Sequence, residues 1–337
     1  MRYINETDLR EIGIDWEALS FVIRETAAAY AAGECVQPIK PYLRFGDERN
    51  RIIAMPAYTS RPLRAAGLKW IASYPANIEA GLPRAHSITV LNDPDTGQPA
   101  ALFSGSLISA IRTAAVSGTL LRTLIASGLV GGGKPLEVAI IGSGPIGRMH
   151  ADMLREWIGA SYLSRIRVFD ERIEAATKLA AQAASAETGV PVEIVPGWRE
   201  AYRDADVVLT CTASPTRYID EPAKPGALLL HVSLRDYTAP ALVGVGPIVV
   251  DSWEEVCRAD TDIERMHVEL GLEREDTIAL SDVLADAGKA LAGANEGKRR
   301  GGGPILFAPM GLAVFDIAVA AYYVKAAERL GIGQLLD

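Results

Sequence analysis

The chain has 337 residues, longer than a single hydrophobic core usually serves, so two domains are the natural expectation. Hydrophobic residues make up 49% and charged residues 23%, the balance of a soluble globular enzyme, and a net charge of −8 argues against nucleic acid or an anionic membrane as the main partner. The first six residues lack an apolar signal core. Residues 310–324 are short for a bilayer and carry Asp316, and neither Cys35, Cys211 and Cys257 nor the four histidines show ligand or disulfide spacing. The expectation is a cytoplasmic protein without a metal.

In chain order, residues 8–32 read as one amphipathic helix with Leu9, Ile12, Trp16, Leu19, Ile23 and Ala27 inward. Short strands follow at 52–56, 68–73 and 88–91. The turn 92–99 is formed by Pro and by Gly97, which accepts a positive φ, and 100–103 is the return strand. A helical period over 106–129 ends at Gly128 and the glycines 131–133. Strands at 136–141, 166–169, 206–212, 227–232 and 247–250 then alternate with helical segments, which calls for a parallel sheet with helices on both faces. Lys298-Arg299-Arg300-Gly301-Gly302-Gly303 reads as a basic, flexible loop, a solvated hinge. The helix that begins after Gly311 is too apolar to stand alone and is expected to pack back on the first domain. The fold class expected is α/β: a Rossmann-type doubly wound nucleotide domain over 118–305, plus an α+β substrate and dimerisation domain formed by 1–117 and 306–337 and closed by the C-terminal helix.

The strand at 136–141 runs into Gly142-Ser143-Gly144-Pro145-Ile146-Gly147 and then a helical pattern. In that context the glycines allow a tight turn, close approach of a pyrophosphate and close helix–strand packing, with the phosphates at the helix N-terminus. Asp170 ends the next strand, where a carboxylate accepts from a ribose hydroxyl and repels a 2′-phosphate. That favours NAD over NADP, although Arg172 close by works in the opposite sense. Thr212, Ala213 and Ser214 after one strand, and Val232 and Ser233 after another, are candidates for the cofactor crevice at the carboxyl ends of the strands.

The first domain holds cations in apolar or small surroundings: Arg44, Lys69 beside Trp70 and Ile71, Arg84 after Leu82-Pro83, and Arg112 within Ile108-Ser109-Ala110-Ile111-Arg112-Thr113-Ala114-Ala115. Burying such groups without partners is costly, so they are expected to bind carboxylates or to pair with acids of the same domain.

The segment from Lys69 to Pro83, the turn 92–99 and Ile111-Arg112-Thr113-Ala114-Ala115 resemble the ornithine cyclodeaminase/mu-crystallin family, over nearly the whole chain. Lys40-Pro41-Tyr42-Leu43-Arg44 with residues 51–56, His231-Val232-Ser233-Leu234-Arg235-Asp236, and residues 307–316 are similar to one branch. That branch is the N-(2-amino-2-carboxyethyl)-L-glutamate dehydrogenases, which supply 2,3-diaminopropionate for siderophores and peptide antibiotics. The resemblance implies a homodimer joined through the substrate domains, an active-site cleft within each subunit and NAD chemistry. It also implies carboxylate binding by Arg44, Lys69 and Arg112, with Arg84 added from the sequence. Thr113, in the Arg112 motif, is placed with the cofactor candidates, and Lys69 and Asp236 are the catalytic candidates. Ornithine cyclodeaminases carry their aspartate in a Gly-Gly-Asp-Cys-Pro-Gly-Lys-like segment. Here Ser233-Leu234-Arg235-Asp236-Tyr237 keeps the acid in altered surroundings, which counts against ornithine cyclisation. The implied reaction is NAD-dependent oxidative cleavage of the glutamate adduct, with Asp236 as general acid/base. The rival readings are an ornithine cyclodeaminase, an alanine dehydrogenase or a ketimine reductase of the same family, and a non-catalytic NADPH-binding protein of the crystallin kind.

Overall fold

The computed structural model describes residues 1–184, 188–293 and 303–336. The expected loop at 298–303 lies outside the described residues apart from Gly303. The chain divides into two units: residues 1–116 with 311–337, and residues 117–310.

The first unit is a mixed sheet backed by helices. Its strands are β1 (Arg2–Ile4), β2 (Tyr42–Leu43), β3 (Arg51–Thr59), β4 (Ala65–Ser73), β5 (Ala85–Asn92) and β6 (Pro99–Ser104), with a short strand at Gln334–Leu335. Among the described residues the order is Gln334–Leu335, β1, β6, β5, β4, β3, β2. The β3–β4–β5–β6 run is antiparallel, so each long strand alternates between a packed face and an opposite face. Met55, Lys69 and Thr89 are paired across β3, β4 and β5 and all three are buried, whereas the neighbouring Trp70 and Ile88 are exposed. The C-terminal helix Ala313–Leu330 packs on β3, β4 and β5 and on the second helix of the chain, and is buried from Ala313 to Ala321. Its apolar composition therefore has a partner within the first unit.

The single helix expected over 8–32 is two helices, α1 (Glu6–Ile12) and α2 (Trp16–Ala31). The hydrophobic period runs through both, but Asp15 starts a new helix by accepting from the Ala18 N–H, and Gly13 ends the earlier one. The turn at 92–99 closes around the Asp93 carboxylate, which accepts from the Asp95 and Thr96 N–H groups. Helix α3 (Leu107–Ala126) begins in the first unit and ends in the second.

The second unit is a parallel sheet. Its strands are β7 (Leu136–Ile141), β8 (Leu163–Phe169), β9 (Val192–Ile194), β10 (Val207–Thr210), β11 (Leu228–His231), β12 (Ile248–Val250), β13 (Thr277–Ala279) and β14 (Ile305–Ala308). Among the described residues their order is β13-β12-β14-β11-β10-β7-β8-β9. β8 and β9 lie to one side of β7, and β10 and β11 to the other, so the chain reverses its winding at β7. In sheets of this kind ligands bind outside the carboxyl end of the strands at that switch point. β10 and β11 are buried throughout and β7 at every residue but Glu137, which accounts for their nearly continuous apolar runs. The expected boundary at 306 is corrected. β14 pairs with β11 and β12 inside the second sheet, so residues 306–310 belong with the second unit.

Candidate functional site

In the second unit, β7 passes through Gly142 into helix α4 (Pro145–Met153). Gly142 has φ +101, and a Cβ there would stand 2.6 Å from the Cys211 carbonyl oxygen, so this turn takes only glycine. A Cβ on Gly147 would collide with the Gly142 carbonyl, whereas one on Gly144 would meet open space. Gly144 caps α4 without a side-chain hydrogen bond, so the first N–H groups of the helix are left without a side-chain cap. The Ser143 hydroxyl is buried and makes no hydrogen bond with the described residues. An open approach over Gly144, uncapped N–H groups and a spare buried hydroxyl are what the phosphates of a dinucleotide require.

Asp170 follows β8. Its Oδ2 accepts from the Ser143 N–H at 2.7 Å, and its Oδ1 from the Arg172 N–H at 2.9 Å. The carboxylate thus ties the end of β8 to the glycine turn. The Arg172 guanidinium is exposed and lies 4.0 Å from Asp170.

The other crevice candidates turn out to be differently employed. Thr212 and Ser233 each donate a hydroxyl to Asp236, one to Oδ1 and the other to Oδ2. Ser214 donates to the Thr216 carbonyl at 2.6 Å, Ala213 is exposed, and Val232 N–H donates to the Leu230 carbonyl at 3.2 Å. Thr113 belongs to the first unit and spends its hydroxyl on the Ser109 carbonyl four residues back, at 2.7 Å. Asp236 is 1% exposed. Its N–H donates to Asp262 at 3.0 Å, and the His231 ring stands 3.7 Å from its Oδ2.

In the first unit, Lys69 on β4 and Arg112 on α3 converge on one oxygen. Lys69 Nζ and Arg112 Nε each donate to Asp316 Oδ1 at 2.9 Å. Lys69 also donates to Ser109 at 3.2 Å, and all three charged groups are buried. Asp316 Oδ2 is buried and accepts nothing from the described residues. Arg112 uses Nε alone, and its terminal nitrogens form no hydrogen bond with the described residues. Gly311, at φ +82, leaves them room, since a Cβ there would lie 2.7 Å from Arg112 Nη1. Lys40 Nζ donates to the Gly311 carbonyl at 2.9 Å. Burial, together with the charges of Arg112 and Lys40, pulls the Lys69 ammonium down to about 8 despite Asp316.

Arg44 and Arg84 do not join this cluster. Arg44 is exposed, donates to the Glu48 carbonyl at 2.8 Å and stands 5.5 Å from the Tyr42 ring centroid, because β2 is a short strand at the edge of the sheet. Arg84 is half-buried in the approach to β5, outside the hydrogen bonds that join Lys69 and Arg112 to Asp316. The residues that reading the sequence missed are Asp316, Ser109, Lys40 and Asp262. Asp316 carried a signal of its own, as the lone acid in the apolar start of a helix.

Comparison with known proteins bears on both units. The pattern of the ornithine cyclodeaminase/mu-crystallin family matches residues 10–329. The chain is 30% identical over its whole length, and over 98% of the relative, to an N-((2S)-2-amino-2-carboxyethyl)-L-glutamate dehydrogenase of Staphylococcus aureus. It is 28% identical to a Delta(1)-pyrroline-2-carboxylate reductase of Bacillus cereus, covering 91% of each chain. Among solved structures, an archaeal alanine dehydrogenase dimer with bound NAD superposes with a TM-score of 0.78 at 25% identity, covering 100% of this chain and 99% of that one.

Proposed function

We propose, from the premise that this chain belongs to the ornithine cyclodeaminase/mu-crystallin family, that it cleaves N-(2-amino-2-carboxyethyl)-L-glutamate oxidatively to 2-oxoglutarate and L-2,3-diaminopropionate with NAD. The broader reading, an NAD-dependent oxidoreductase acting on a small amino acid, follows from the dehydrogenases and reductases among its relatives. The narrower reading is supported by the relative of that activity, 30% identical over the whole chain, together with two buried cations, Lys69 and Arg112, that share a single carboxylate oxygen of Asp316. That leaves one buried positive charge in excess, and the terminal nitrogens of Arg112 are unspent. A dry surplus of this kind is stabilised by an anionic ligand, and a guanidinium suits a carboxylate. The adduct carries three carboxylates, whereas pyrroline-2-carboxylate and alanine carry one.

The residues of the glycine turn, Gly142 to Gly147, with Asp170 would hold the dinucleotide. Asp170 supports NAD over NADP because a second negative group next to its carboxylate would be repelled. When bound, NAD⁺ supplies the two-electron oxidation of the bond between the glutamate α-carbon and the secondary amine. Lys69 and Arg112 hold a substrate carboxylate and thereby orient that bond. Asp236 takes a proton from the water that adds to the imine carbon and returns it to the amine as the carbon–nitrogen bond breaks. Thr212 and Ser233 each occupy one acceptor position of its two oxygens, which leaves lone pairs for this work.

The same reading includes a homodimer. Trp70 and Ile88 are directly paired across β4 and β5, on the face opposite Lys69, and are 37% and 41% exposed. A second copy of the chain is the partner that fits this apolar face, as an alanine dehydrogenase neighbour is a dimer.

The experiment that tests the reaction is mass spectrometry of products after incubation with NAD⁺ and the adduct. Formation of 2-oxoglutarate, 2,3-diaminopropionate and NADH in equal amounts is expected. Reduction of Δ1-pyrroline-2-carboxylate with NADH, with the adduct untouched, would assign the chain to the reductases instead.

A further inference from the structure

We infer that Asp262 is a positioning residue that holds the Asp236 loop in its working shape, an inference that rests on Asp236 being the acid/base. Asp262 opens the helix Asp262–Leu270, whose N-cap is Thr261. Its side chain is fully buried and gathers contacts from three separate parts of the second unit. Oδ2 accepts from the Asp236 N–H at 3.0 Å, the Tyr237 N–H at 2.9 Å and His231 Nε2 at 2.8 Å. Oδ1 accepts from Arg217 Nε at 2.6 Å. The Asp262 N–H in turn donates to the Leu234 carbonyl at 2.8 Å. One residue therefore grips the loop at Leu234, Asp236 and Tyr237.

That grip has something to oppose. Leu234 sits at φ +65, a left-handed conformation that a branched side chain adopts only at a cost. The kink at Leu234 turns the chain so that the Ser233 hydroxyl reaches Asp236 three residues on. The three hydrogen bonds to Asp262 act at Leu234 itself and at the two residues that follow Arg235, beside the Ser233 N–H bond to the Thr210 carbonyl and the Asp236 carbonyl that accepts from the Tyr218 and Ile219 N–H groups. The chemistry of Asp262 agrees with a fixed anion. Burial alone would push its carboxyl up, but His231, the Tyr237 N–H and Arg217 outweigh burial and hold it below the ordinary range. His231 completes the grip from β11: its Nδ1 pairs with Thr210 at 2.7 Å, and its ring lies edge-on to Tyr237 at 4.9 Å.

A double-mutant cycle tests the inference, using NADH formation from the adduct as the assay and NADH fluorescence titration as the binding readout. Asp262→Asn keeps the size of the side chain but turns an acceptor into a donor, facing either the two N–H groups or Arg217. Misplacing a catalytic group by about 1 Å costs on the order of 10²-fold. The expected result is a fall in kcat of roughly 10- to 100-fold with KM and the NADH Kd nearly unchanged. In an Asp236→Asn background the same change should cost less than about twofold more, because Asp262 acts through Asp236. If Asp262→Asn lowers kcat by the same factor in both backgrounds, or raises KM and Kd instead, the positioning role is wrong while the Asp236 reading survives. If Asp236→Asn itself leaves kcat intact, both fall together. Should Asp262→Asn not fold, Arg217→Gln, which frees Asp262 from the opposite side, is taken through the same cycle with the same expected non-additivity.

Discussion

In the first unit, Lys69 and Arg112 meet on one oxygen of Asp316 in a dry interior, with a second carboxylate oxygen and two guanidinium nitrogens left over. In the second, the nucleotide turn offers backbone N–H groups and one hydroxyl, and Asp236 is held by hydroxyls and by a loop gripped through its backbone. On the proposed reading, one region would select its ligand by net charge and the other by shape. Charge suits a substrate that arrives with several carboxylates. Shape suits a turn whose own contacts are mostly backbone. The difference teaches that the two sites should fail differently when altered, and the following experiments exploit this.

Asp236→Asn should have the largest effect, a fall in kcat of about 10²- to 10⁴-fold with substrate and nucleotide binding largely retained, since on the proposed reading it removes the proton carrier while keeping the side chain's size and one of the two oxygens that accept from Thr212 and Ser233. Stopped-flow measurement of NADH formation checks it. Arg112→Ala should cost about 10²-fold in kcat/KM, mostly as a higher KM, because it removes a charge-assisted contact and leaves Lys69 alone with Asp316. A well-folded Arg112→Ala protein with normal KM would make the pair a purely structural feature, and the contrast between the units would disappear.

The pH dependence separates the units further. Lys69 is pulled down to about 8 chiefly by burial, so its ammonium is lost as pH rises through that value. Carboxylate binding should weaken above about pH 8, seen as a rising KM. Lys69→Arg, which keeps its charge, should abolish that limb. The sign for stability is the opposite. Between about 8 and the ordinary lysine value of 10.5 the unfolded chain binds the proton and the folded one does not. This group therefore makes the fold more stable as pH rises across that window, a trend readable from urea midpoints. The smallest effect should come from Asp170→Ala. Loss of its bond to the Ser143 N–H and of a ribose acceptor should weaken NAD⁺ roughly tenfold, about the worth of one hydrogen bond to a charged group, and should narrow the preference over NADP⁺. Fluorescence titration with both nucleotides measures the two changes together.

Much of the architecture was written locally. The β7–turn–α4 segment, the alternating strands of the first sheet and the apolar C-terminal helix follow from periodicity and from glycine placement, because each is decided by neighbours within a few residues. So was the candidacy of Lys69 and Arg112, since a cation among apolar residues announces a partner. The partner itself was not legible. Asp316 lies more than 200 positions from Arg112, and only the packing of the C-terminal helix on β3, β4 and β5 brings the two within 2.9 Å. Arg44 had the same local credentials as Lys69 and is exposed, because an edge strand gives a side chain nothing to be buried against. Asp262 gave no local sign at all, being a polar residue behind a helix cap, yet it accepts two N–H groups from the Asp236 loop. By itself the sequence determined most of the long strands and helices and the turn that admits only glycine, as these are short-range matters of sterics and burial, but not the break between α1 and α2 or short strands such as β9, β13 and β14. Which charges meet, and which loop is held in a strained shape, was decided by tertiary structure, since a contact between distant residues depends on the packing of every element between them.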